Sequence, residues 1–69
     1  MIKVNTKVDQ DLNLVKIGVM ELDDCVDKHF DDLYDFYLNN GEMPYGVAKA
    51  RDGDPNQWIF ESLERELGV

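Results

Sequence analysis

Between Leu22 and Asn39 the chain sorts its residues by helical angle, and this sorting constrains the fold more than any other feature. Stepping about 100° per residue from Leu22, the residues Cys25, Val26, His29, Phe30, Leu33, Phe36 and Tyr37 fall with it inside one arc of roughly 140°. Asp23, Asp24, Asp27, Asp31, Asp32 and Asp35 occupy the other side, interrupted by one base, Lys28. The pattern predicts a helix over 23–39, capped by Asp23 or Asp24 and stopped at Asn39-Asn40-Gly41, where glycine suits the left-handed conformation. Such a helix must bury its apolar stripe, so the remaining residues have to supply a surface for it.

Upstream, Ile2, Val4, Thr6 and Val8 alternate with Lys3, Asn5 and Lys7, and Val15, Ile17 and Val19 alternate with Lys16, Gly18 and Met20. Period-two runs of β-branched residues read as half-buried strands, and Asp9-Gln10-Asp11-Leu12-Asn13 between them holds turn formers. The expectation is a β-hairpin over 2–20, too small to be stable without a helix on its apolar face. Downstream, Asp54-Pro55 reads as an N-cap and first helical position, and Ile59, Phe60, Leu63 and Leu67 form a stripe ending at Gly68, which predicts a helix over 55–67. A loop over 40–54 separates the helices, and within it 44–51 reads as a short third strand or a helical turn. With 69 residues there is material for one core only. The expected fold is therefore a single α+β domain of order ββαα over 1–69.

The one cysteine, Cys25, leaves no internal disulfide and no Cys-rich zinc module, which suits a reducing compartment. No apolar run approaches the roughly 18 residues of a membrane span, and no signal-type apolar segment follows Met1. A cytoplasmic location is expected, in a bacterial host cell if the protein is phage-encoded.

Catalytic constellations are sparse. Cys25 and His29 lie one turn apart on the apolar face, but an acid-rich segment would raise the thiol pKa, and two ligands fall short of the four a structural zinc needs. Asp9-Gln10-Asp11-Leu12-Asn13 and Asp52-Gly53-Asp54-Pro55-Asn56 begin like calcium loops. They then offer Leu14 or Gln57 where glycine is required, and Met20 or Leu63 where a bidentate Glu is required. No phosphate-binding glycine loop and no nucleophile elbow is present. The reading is a non-enzymatic protein with no cofactor and no metal.

Charge is the informative property. The formal net charge is -8, and the segment from Glu21 to Glu42 carries eight acids against Lys28 alone. From Asp23 to Asp35 every acid is Asp, although Glu favours helices by a few tenths of a kcal/mol. Carboxylates one helical turn apart stand about 5–6 Å from each other, an interval comparable with that of phosphates along a nucleic-acid strand. Asp24, Asp27, Asp31 and Asp35 are accordingly expected to imitate a short backbone stretch and to occupy the basic groove of a nucleic-acid-binding protein. Tyr34 and Leu38, lying among the aspartates, would add apolar contact, and Trp58, turned about 100° from the stripe of its own helix, is either a second anchor or a lid. In size, acidity and polarised Asp-rich helix the chain looks like small phage or mobile-element proteins that inhibit host DNA-binding enzymes, a resemblance that implies stoichiometric binding. Direct contact with nucleic acid or membrane is not expected at this charge. The alternative is a protein-protein module, or a homodimer, docking through an apolar patch around Trp58 and Tyr45 while the acidic face only solubilises.

Overall fold

The computed structural model describes residues 3–49 and 54–68. Five helices run through them: α1 (Thr6–Lys16), α2 (Leu22–Lys28), α3 (Phe30–Asn39), α4 (Tyr45–Lys49) and α5 (Asp54–Leu67). No strand occurs among the described residues, so the expected α+β fold and its N-terminal hairpin over 2–20 are corrected to an all-helical arrangement. Ile2, the Asp52-Gly53 pair and the last two residues of the 44–51 segment lie outside the described residues, as does the Asp54 side chain expected to cap α5.

The correction has a local and a tertiary cause. Locally, Asn5 is extended at φ -159° and ψ 172°, and its side chain accepts a hydrogen bond from the Val8 amide at 2.9 Å, satisfying one of the orphan donors of a helix start. Asp9, read from sequence as a turn residue, sits in the first turn of α1 and accepts from the Val4 amide at 2.9 Å. Globally, Val8, Asp11, Leu12 and Val15 are buried, the i, i+3, i+4, i+7 spacing of a helix stripe. Ile17 and Val19, which the alternation placed in a second strand, are instead 62% and 70% exposed, beyond the helix end. Gly18 at φ +85° closes α1: its amide donates to the Val15 carbonyl at 3.1 Å, and the Val19 amide to the Leu14 carbonyl at 2.9 Å. Gly41 at φ +71° ends α3 with the same pair of bonds, from Gly41 to Leu38 at 3.1 Å and from Glu42 to Tyr37 at 3.2 Å.

In place of one helix over 23–39 the chain forms two, because the backbone leaves helical geometry at His29, with φ -115° and ψ 26°. The imidazole Nε2 of His29 donates to Oδ2 of Asp11 on α1 at 2.5 Å, and Lys28 Nζ reaches the same oxygen at 3.0 Å. A pair of adjacent residues thus turns toward one carboxylate on a neighbouring helix, at the point where α2 gives way to α3. Within the segment at 44–51, Tyr45–Lys49 is helical, as α4, whose Val47 and Ala48 amides both donate to the Pro44 carbonyl at 3.0 Å.

The helix α5 is the central element, packing against α2, α3 and α4, while α1 packs on α2. Pro55 lies in its first turn, where a missing N–H leaves no hydrogen bond unmade. Ile59, Leu63 and Leu67 join Val8, Leu12, Val15, Leu22, Cys25, Val26, Leu33, Tyr37 and Met43 in one core. A fully buried Leu or Ile such as Leu33 or Ile59 is stabilised by about 1.5–3 kcal/mol relative to exposure.

Candidate functional site

All six aspartates between Asp23 and Asp35 are exposed, so α2 and α3 present them as an outer surface opposite the core stripe. The break at His29 divides them. Asp23 and Asp24 lie in the first turn of α2, and Asp31 and Asp32 in the first turn of α3. A negative side chain there gains about 0.3–1 kcal/mol from the unsatisfied amides and the helix dipole. Two of the aspartates that a single long helix would have left without local support therefore have it, and Asp27 and Asp35 are the pair outside a first turn. Of the four aspartates expected to imitate a backbone stretch, Asp24 with Asp27 and Asp31 with Asp35 retain the spacing of one continuous helix, whereas Asp27 to Asp31 spans the break.

Neighbouring amides orient two of the carboxylates. Asn56 Nδ2 of α5 donates to Asp27 at 3.2 Å, and Asn5 Nδ2, from the cap of α1, donates to Asp32 at 3.2 Å. The single base of the segment is directed elsewhere: the Lys28 ammonium lies on Asp11 and not on its own-face neighbours Asp24, Asp31 or Asp32. Among the described residues no ion pair reaches any of the six aspartates. A shallow depression of about 300 Å³ at the break is lined by Asp27, Lys28, His29, Phe30, Asp31 and Asp32.

The apolar residues expected to assist are distributed differently from one another. Leu38 is 43% exposed and adjoins the acidic surface on α3. Tyr34 is half-buried, its hydroxyl donating to the Ala48 carbonyl at 2.8 Å and its ring 5.7 Å from that of Phe30, so it fastens α4 to α3. Trp58 is half-buried on α5 with its ring at right angles to Tyr37, which places it apart from the aspartates and against the core. Tyr45 is 72% exposed, with the Lys49 ammonium 4.7 Å from its ring centre.

Asp11, which the sequence reading assigned to a turn, is the carboxylate that holds His29 and Lys28 at the break between α2 and α3. Its carboxyl is held below the ordinary value of 3.8, first by the hydrogen bond from His29 and then by that from Lys28. The signal that could have found it is its place between Val8 and Leu12 on one helical stripe, where a charged residue requires a partner. Cys25 is wholly buried, and burial, followed by the charge of Asp11, pushes its thiol up, away from the thiolate a nucleophile needs. Among the described residues no group of three or more His, Cys, Asp and Glu side chains is placed to hold a metal ion, and no helix is long and apolar enough to cross a membrane. A scan against protein-family models and searches among curated proteins and solved structures find no match for the chain.

Proposed function

We propose that this protein acts by binding, without catalysis, as an acidic ligand for the basic nucleic-acid-binding surface of another protein. The observation that carries the reading is the unneutralised surface of α2 and α3: six exposed aspartates whose one interspersed base is drawn off onto Asp11. A basic groove poised for phosphates meets there an array of carboxylates, two of them oriented in advance by Asn56 and Asn5. Leu38 supplies an apolar contact at its margin.

The test is capture of nucleic-acid-binding proteins from a bacterial lysate by the wild type and by Asp27→Asn/Asp31→Asn/Asp35→Asn, after circular dichroism shows that both fold alike. For a captured partner, three exposed charge contacts at about 0.5–1 kcal/mol each predict a loss of at least tenfold in affinity in the triple variant. Binding should also weaken steeply as salt rises, and nucleic acid should compete. Equal capture by wild type and variant would refute the reading. A second reading, docking through Tyr45 and Trp58, has the exposure of Tyr45 behind it; there the loss would come with Tyr45→Ala or Trp58→Ala and salt would matter little.

A further inference from the structure

Where α3 meets α5 a second and larger depression, of about 440 Å³, is lined by Tyr37, Glu42, Trp58, Ser62, Arg65 and Glu66. That volume falls within the range of roughly 300–1,000 Å³ typical of small-molecule sites. Its apolar wall is the pair Tyr37 and Trp58, whose ring centres are 5.0 Å apart and whose planes meet at 88°. Tyr37 is only 3% exposed and meets the cleft with little more than its rim, so the half-buried Trp58 supplies the ring surface, and a π face attracts a cation.

The charges around the cleft have the same preference. Glu42 and Glu66 face one base, Arg65, whose Nη2 donates to Ser62 Oγ at 3.4 Å on its own helix. The field is visible at Tyr37: burial above all, and then the carboxylates of Glu42 and Glu66, push its hydroxyl up to about 12 against an opposing pull from Arg65. An anion is disfavoured by two carboxylates. A small hydrated metal ion makes no use of the rings, and a neutral apolar molecule makes no use of the acids. A soft organic cation uses both.

We infer that this cleft binds an organic cation, its primary or quaternary ammonium group seated against Trp58 between Glu42 and Glu66. The site is separate from the aspartates of α2 and α3 and stands whether or not the acidic surface engages a basic partner.

Trp58 is the single tryptophan, so its fluorescence and its indole N–H resonance report on the cleft directly. The folded protein would be titrated with choline chloride, with sodium chloride as the ionic-strength control. Choline's uncharged isostere, a tert-butyl group in place of the trimethylammonium, would be titrated in parallel. Choline should give a saturable change and bind about tenfold more tightly than the isostere. Glu42→Gln and Glu66→Gln should each weaken choline severalfold, and Arg65→Gln, which removes the opposing charge without touching the rings, should strengthen it. Since these substitutions lie at exposed positions, their folding is checked by circular dichroism and is expected to be unchanged. Equal affinity for choline and the isostere would overturn the inference. So would unchanged or weaker choline binding in Arg65→Gln, or the absence of any saturable response to choline in both signals.

Discussion

Leu12→Ala separates the helical fold from the hairpin more sharply than any other single substitution. Between two strands Leu12 would sit in the connecting turn, and truncating it there would change stability by less than about 0.5 kcal/mol. In the structure Leu12 is wholly buried on α1, between Val8 and Val15 on the stripe that packs against α2. Truncation to alanine removes the equivalent of three methylene groups at about 0.8 kcal/mol each, or ~2.4 kcal/mol of transfer free energy. The cavity left among neighbours fixed on helices adds about 1 kcal/mol, for a total of about 3–4 kcal/mol. A domain of this size has about 3.5–10 kcal/mol to lose, so the variant should melt roughly 12–30 °C lower. Thermal and urea unfolding followed by far-ultraviolet circular dichroism measure it, with Gln10→Ala, exposed on the same helix, as the control expected within ~0.5 kcal/mol of wild type. A loss under about 1 kcal/mol for Leu12→Ala, equal to the control, would refute the packing of α1.

Other outcomes follow from named contacts. Asn5→Ala removes the cap of α1 and should cost about 1 kcal/mol, with faster amide exchange over the first turn and little change in α5, read by hydrogen exchange. Tyr37 is raised in the folded state, so its contribution is fully present below the unfolded value near pH 10 and is lost as pH rises toward about 12. The loss is at most about 2.7 kcal/mol and less where solvent screens the ring hydroxyl, and Tyr37→Phe should remove this alkaline limb from a pH series of urea melts. Asp11 is lowered, so its contribution is present above the ordinary value of 3.8 and lost as pH falls through the folded value; Asp11→Asn should flatten that acid limb in the same series. The Cys25 thiol, buried and raised, should resist alkylation in the folded protein at neutral pH and react at the rate of a free thiol in denaturant.

The stripes that bury α2, α3 and α5 are legible in the sequence because long apolar residues recur there on the helical period and nothing competes with it. Leu22, Cys25, Val26, Leu33 and Tyr37, and then Ile59, Leu63 and Leu67, are the residues the structure buries. The N-terminal segment carries two periods at once. Val4, Thr6 and Val8, and Val15, Ile17 and Val19, alternate as in strands, while Val8, Asp11, Leu12 and Val15 repeat as in a helix. Strand propensity of β-branched residues amounts to at most about 1 kcal/mol and yields to burial of a whole stripe. The cap at Asn5 and the glycine at position 18 were the local marks that favoured the helix.

What the sequence determines alone is the separation of apolar from acidic residues between Leu22 and Asn39 and the concentration of negative charge there, since both depend only on residue type and spacing. It could not show that this stretch is two helices, because the break at His29 contains neither proline nor glycine and coincides with a contact to Asp11, eighteen positions away. Nor could it show that Lys28 leaves its own face for the same carboxylate, that Tyr34 fastens α4, or that Trp58 packs edge-on with Tyr37 in a depression also lined by Glu42 and Glu66. Each of these joins residues distant in the chain, and such pairings follow from how helices pack, which local periodicity does not encode.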